Sequence, residues 1–333
     1  MLEPLNGKKT DKKDSKWIAD IHKHGLVPGS YIPCKDIREL RELCRYMTKL
    51  TGNSSSERNR MQNSLTVSNI ALASVVSDIN GKSSNAIVSY LLTCDTFDPE
   101  HCKSLLHGSM KPKADEIIDS ILGYELSNEQ NQKLKICREH HSYIEQCKAN
   151  LQLYIDALSK KYQPQIDLIA SLEGIGQKAA TVILSEIGAD MSIFYSAKHL
   201  CSWAGLTSGN NESAGKKKSV RISRAGIYLK PILVQCALAS LKSQKDTYFK
   251  DKYLRIKKRR GHKKAIIAIA RMMLTCIYHM LSKNEPFNPT DRDYLDIPEK
   301  IQEKYQQKAV EQAIYILQKQ GFTITKDDVI YAT

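Results

Sequence analysis

The 333-residue sequence predicts a mainly α-helical protein. Two long stretches space their apolar residues by threes and fours, and a third joins two helical runs through Gly174-Ile175-Gly176. Only one short β-branched stretch, residues 219–222, reads as strand, so the fold class is α with a small β element.

In residues 36–65 the stripe is Ile37, Leu40, Cys44, Met47, Met61 and Leu65, interrupted by the polar "TGNSSSE"; this predicts one long helix or two collinear ones. Residues 66–125 read as shorter helices with turns at Gly81, Pro99, Gly108 to Pro112 and Gly123. A second long stripe follows over 128–161, with Leu134, Cys137, Ile144, Leu151, Ile155 and Leu158. It suits a coiled-coil hairpin or a dimer seam. His141 and Lys148 fall on the stripe, so an amphipathic helix packed inside the domain fits as well. Pro164 is expected to end it.

Next, "LIASLEGIGQKAATVILSEIG" has a helix-hairpin-helix pattern: Gly174 and Gly176 permit a tight turn, Ala179 and Ala180 face inward, and Lys178 stands at the helix start. Free backbone N–H groups there could receive a phosphate, or the turn could serve packing alone. "AGLTSGNNESAGKKKSVRIS" reads as an irregular loop leading into the strand, with helices resuming near Tyr228. The apolar run "AIIAIARMMLTCIYHML" is broken by Arg271 and falls short of the ~20 residues of a membrane span, so it reads as a buried helix. The expected segments are 1–65, 66–125, a coiled-coil helix at 126–165, a main helical domain at 166–285 and a tail at 286–333.

Fifty Lys and Arg against thirty-six Asp and Glu give a formal charge of +14, which suits a polyanionic partner. From Gly215 to Lys245 there is no acid, while Lys216, Lys217, Lys218, Arg221, Arg224, Lys230, Lys242 and Lys245 are present. "KYLRIKKRRGHKK" then adds Lys257, Lys258, Arg259 and Arg260 among others. Such runs are solvated faces or sites of phosphate neutralisation. Nine scattered cysteines without a C-x-x-C pair argue against a zinc ribbon or a disulfide framework, and the amino terminus has no signal-peptide core, so a cytoplasmic location is expected.

Two places could carry chemistry. "SGNNESAGKKKS" is no P-loop: Gly209 and Gly215 enclose five residues, and Lys217 occupies the hydroxyl position. Nor is it a hydrolase elbow, since Asn211 precedes Ser213 where glycine is required. Ser213 is then either a turn serine or a nucleophile toward a phosphodiester, whose charge Lys216, Lys217, Lys218, Arg221 and Arg224 could stabilise. In "KTDKKDSKW", Asp11 and Asp14 share a helix face, as a Mg2+ site or as ordinary helix-start residues.

These stretches together resemble the bridge-RNA-guided insertion-sequence transposases, also called DEDD transposases. "GKKTDKKDSKWIADIHKHGLVPGSYIP" and "IRELRELCRYMTKL" look like the end of an RuvC-like domain, and "HGSMKPKADEIIDSILG" is similar to its helical continuation. "LEGIGQKAATVILSEIGADMSIFYSAKHLCSWAGLTSGNNESAGKKKS" with "YLRIKKRRGHKKAIIAIA" resembles the transposase domain. The resemblance implies a remnant of an α/β RuvC-like domain at the amino terminus, Ser213 as nucleophile, and Asp11 and Asp14 as the last two of four Mg2+-binding acids. It implies DNA and a guide RNA as partners, a homo-oligomeric assembly (dimer or tetramer), and no membrane. The family's first two acids should precede "KTDKKD", where only ten residues stand before Asp11. The expectation is an N-terminally truncated transposase with an incomplete metal site; the rival is an inactive nucleic-acid-binding remnant.

Overall fold

Thr10 starts the first helix, its hydroxyl accepting a bond from the Lys13 amide, and α1 runs Asp11–Lys23 with all its residues at least partly exposed. The structure is a computed structural model that describes residues 10–26, 32–94, 96–209, 211–213, 216–219, 221–242 and 248–289, with scattered positions between 307 and 330. It is mainly helical.

The first long stripe becomes one unbroken helix, α2 (Lys35–Val67). In its "TGNSSSE" segment the hydroxyls of Thr51, Ser55 and Ser56 turn back onto the carbonyls four residues earlier, on Met47, Thr51 and Gly52, instead of competing for amides, and packing along a second long helix holds the turn helical. Four short helices follow: α3 (Leu72–Val75), α4 (Lys82–Leu91), α5 (Pro99–Ser104) and α6 (Ala114–Asp119), with a 3-10 turn at Gly108–Lys113. With the end of α2 they bury Leu65, Ile87, Ile117 and Ile121 in one core.

The second long stripe is α7 (Asn128–Ser159), which lies antiparallel along α2. Leu40 and Cys44 meet Ile155 at one end, and Leu65 meets Leu134 toward the other. The middle is polar. Buried Ser54 donates to Glu145, which also holds Lys148 at 2.9 Å, and buried Glu57 accepts from His140 and Arg60. His141 and Lys148 thus sit where the stripe asked for apolar groups because one acid, Glu145, lies beside both.

Pro164 does not end this helix, contrary to expectation. α7 stops at Ser159, a 3-10 turn spans Lys160–Tyr162, and Pro164 lies in the first turn of the next helix, α8 (Gln163–Ala170), where its missing N–H costs nothing. The chain continues through α9 (Gln177–Ile187), α10 (Ala197–Trp203), the strands β1 (Asn211–Ser213) and β2 (Lys216–Ser219), and then α11 (Leu229–Lys242), α12 (Tyr248–Arg260) and α13 (His262–Lys283).

α13 is the axis of the carboxy-terminal core. Ala265, Ile266, Ile269, Ala270, Met273, Leu274 and Ile277 face α8, α10, α11 and α12, while Arg271 points to solvent. The helix is long and apolar enough to cross a membrane by composition alone; its apolar stripe is the one packed in this core. Each fully buried Ile or Leu contributes about 1.5–3 kcal/mol.

The β element differs from expectation. A hairpin replaces the irregular loop, and its second strand occupies 216–219 rather than 219–222; Ile222 makes only an isolated bridge with Ser208. The pairing is antiparallel, Ser213 opposite Lys216 and Glu212 opposite Lys217, with a bulge between Asn211 and Glu212. With β1 ending at Ser213, the second strand begins three positions earlier than β-propensity suggested.

Candidate functional site

The hairpin stands on a closed base. α10 ends in a Schellman arrangement, with Gly205 N bonding Ser202 O and Leu206 N bonding Cys201 O, and Gly205 takes φ +69°. A Cβ at Gly205 would lie 2.4 Å from Ala225 O, and one at Gly226 (φ +67°) would lie 2.1 Å from Ala204 O. The two glycines let the incoming and outgoing strands touch backbone to backbone. Lys230 completes the clasp, its Nζ donating to Ser223 O at 2.7 Å and Ala225 O at 2.9 Å, with Gly205 O at 3.5 Å. Burial lowers the Lys230 pKa. This lysine belongs to the basic run in sequence but is turned inward in space.

Above the base, Thr207 O accepts from Ser223 N, and Arg221 O accepts from Gly209 N. Ser213 therefore lies at the far, closing end of the hairpin, its Cα paired with that of Lys216, and Lys217 and Lys218 follow on β2. Ala214 and Gly215, between Ser213 and Lys216, lie outside the described residues, as does Lys245. Arg221 and Arg224, nearer the base, are exposed.

The glycine turn between α8 and α9 divides its work. Gly174 (φ +86°) packs directly on α11: a Cβ there would meet Cys236 O at 2.5 Å and Ser240 N at 2.7 Å. Gly176 meets nothing within 4 Å and caps α9 without a side chain. The first backbone bond into the helix is Ala180 N to Gly176 O at 2.9 Å, so the amides of Gln177, Lys178 and Ala179 precede the ladder, and Lys178 is exposed beside them. Asp167 accepts from Gln163 and Gln177, tying α8 to α9.

A third basic element is the α12–α13 corner. Lys257, Lys258, Arg259 and Arg260 form the exposed last turn of α12, where cations suit the helix dipole. Gly261 (φ +79°) turns the chain, and exposed Lys263 and Lys264 then open α13, where the dipole opposes them and the first turn holds no acid. Charge placed against the dipole is costly unless an anion visits.

The two acids sit where carboxylates suit the helix dipole. Asp11 and Asp14 lie in the first turn of α1 behind Thr10. Two carboxylates on one helix face have the right hard-oxygen chemistry for Mg2+, but they are too few for its coordination, and no group of three or more metal-ligating side chains gathers among the described residues. The two acids do not by themselves fit the ion.

Sequence reasoning missed the joint between α2 and α9. Arg41 donates to the carbonyls of Ser185 and Glu186 at 2.9 and 2.7 Å, at the end of α9. Arg45 grips the carboxylate of buried Glu186 with both nitrogens at 2.7 Å, while Tyr228 lies against its guanidinium with the ring centre 4.7 Å away. The bond to Glu186 raises the Arg45 pKa. Glu186 inside an apolar helix was the available signal, since a buried acid requires a cation.

The fold and its cationic faces define a basic helical protein with several surfaces suited to a polyanion. Residues 166–254, from α8 through the hairpin into α12, match the family model described as Transposase IS116/IS110/IS902 family. Residues 3–70 match a second model, described as Transposase, of the DEDD type in IS110 elements. Two separate stretches of the chain are thus similar to IS110-family transposase models.

Among individual proteins, it is similar to the pilin gene-inverting protein of Moraxella bovis, 32% identical over 131 residues, and equally to that of Moraxella lacunata. The aligned stretch covers 36% of this chain and 38% of either relative.

Proposed function

We propose that the chain is an RNA-guided transposase or recombinase that cuts and rejoins DNA with Ser213 as the nucleophile. The observation that carries the reading is the hairpin: Ser213 closes it opposite Lys216, in a segment that matches a transposase family. Ser213 Oγ would attack a backbone phosphorus and lose its proton to water. The P–O bond to one deoxyribose oxygen breaks, that oxygen takes up a proton, and a phosphoserine ester keeps the phosphoryl group for a second strand's hydroxyl. Lys216, Lys217, Lys218, Arg221 and Arg224 would stabilise charge on the equatorial oxygens.

The exposed amides at Gly176, with Lys178, would hold the DNA backbone as a helix-hairpin-helix, and the α12–α13 corner would extend that track. A guide RNA and a dimeric or tetrameric assembly complete the proposal. Asp11 and Asp14 would supply only two of the carboxylates that a Mg2+ ion needs, and further ligands would have to complete a site from which the ion lends positive charge to a phosphate.

The test compares the chain with Ser213→Ala on element-end DNA, with and without flanking-region RNA, on a denaturing gel. A protein–DNA adduct seen with the chain and lost in the variant is expected. DNA binding without any adduct would instead support the second reading, an inactive nucleic-acid-binding protein.

A further inference from the structure

Along one face of α2, positions 38, 41, 45 and 49 are all cationic, spaced by three and four. Arg41 and Arg45 are committed to α9, as described above. Arg38 and Lys49 are exposed and make no ion pair among the described residues. The same face borders a cleft of about 420 Å³ whose other wall is Tyr228, the residue where the chain leaves the hairpin for α11. Tyr46, 53% exposed, lies within it. The cleft lies where the two transposase-matched segments meet, α2 from one and Tyr228 from the other.

This lining suits few ligands. A small-molecule pocket is mostly apolar, yet here only Leu43 is aliphatic, and Glu42 adds a carboxylate to the wall. A duplex backbone would use the cations and leave the tyrosine faces idle. An unpaired strand uses both: phosphates need the cations, and a splayed base needs an aromatic face. Arg38 and Lys49 stand eleven positions apart, about 16 Å along the helix. That is too far to share one phosphate and suits a strand several nucleotides long. Glu42 can accept from a base N–H, such as the N3–H of thymine, which no phosphate offers.

We propose that this cleft binds an unpaired DNA strand, with phosphates at Arg38 and Lys49 and a base stacked on Tyr46. The inference rests on the DNA strand-exchange reading, in which a strand opened at the hairpin needs a place to lie near the hairpin's base. Arg45 and Tyr228, locked together by the Glu186 pair, form the rigid wall against which the strand is held.

The test is fluorescence anisotropy on the full chain with a labelled oligothymidine, and with a duplex and an oligouridine of the same length. Arg38→Ala with Lys49→Ala is expected to reduce the salt slope for oligothymidine by about 1.4, two phosphates' worth. Tyr46→Ala is expected to weaken binding about tenfold, and Tyr46→Phe, which keeps the π face, to leave it near wild type. Circular dichroism establishes that each variant is folded. Unchanged oligothymidine binding in folded variants overturns the proposal; so does an effect confined to oligouridine, which would give the cleft to RNA, or one confined to duplex. Ser213→Ala separates the two readings. A chain that forms no adduct, yet whose cleft variants alone lose oligothymidine, refutes the chemistry and leaves the cleft standing.

Discussion

Replacing Arg45 by alanine should expose how much the α2–α9 joint contributes to stability. Glu186 keeps only 4% of its side-chain surface in water and loses both of its 2.7 Å bonds to Arg45. Removing one partner of a buried pair costs about 3–5 kcal/mol. Two facts move the figure downward: Arg41 Nε remains 4.0 Å from the carboxylate, and the Arg45 side chain is 40% exposed, so the pair is partly screened. The expected loss is about 2–3 kcal/mol, a fall in Tm of roughly 5–10 °C for a domain of this size, read by thermal denaturation. Arg45→Met combined with Glu186→Leu should recover most of it, because no charge is left buried. A single variant that melts with the wild type, or a double variant as unstable as the single, would refute the view that Glu186 depends on this arginine.

Gly174→Ala should lower stability by about 2–4 kcal/mol, through a left-handed φ and a backbone clash on α11. Gly176→Ala, in open space at φ −88°, should change it by about 1 kcal/mol or less, as chemical denaturation of both will show. Alanine at Lys257, Lys258, Arg259 and Arg260 together should flatten the salt dependence of duplex binding by up to about 3.6 in log–log slope, measured by titration at several salt concentrations. Burial pushes the thiols of Cys44, Cys102 and Cys236 from 9.0 to about 11. Their stabilising contribution is complete below pH 9 and is lost as pH rises toward 11, up to about 2–3 kcal/mol each, and replacing any one by alanine should reduce that alkaline loss.

The long helices were legible because a three-and-four apolar stripe can bury only one way, and Leu40, Cys44, Leu134 and Ile155 all face the seam it implied. Polar compensation across the seam was not legible: Glu57 meets His140 from 83 positions away, a pairing that no local pattern encodes. Pro164 was assigned to the wrong helix because proline both stops one helix and starts another, and only the Lys160–Tyr162 turn decides which. At the candidate site, the glycine turn was visible as a motif, but not the split between Gly174, which packs, and Gly176, which faces solvent. Lys230 misled for the same reason: sequence counts a charge without its direction, and three carbonyls turned this one inward.

The clasp of Gly205, Gly226 and Lys230 brings the two ends of the hairpin into the core at a single point. Anything carried between those ends is closed off from the core, so its length and composition can change without moving a helix. Lengthening a closed loop is cheap, about 0.6 kcal/mol for each doubling, whereas one methyl group at either glycine would strike a carbonyl. The fold itself therefore constrains the neck and leaves the tip free, so that any constraint met at Ser213 and the lysines beside it must come from their chemistry, a working head on a fixed socket.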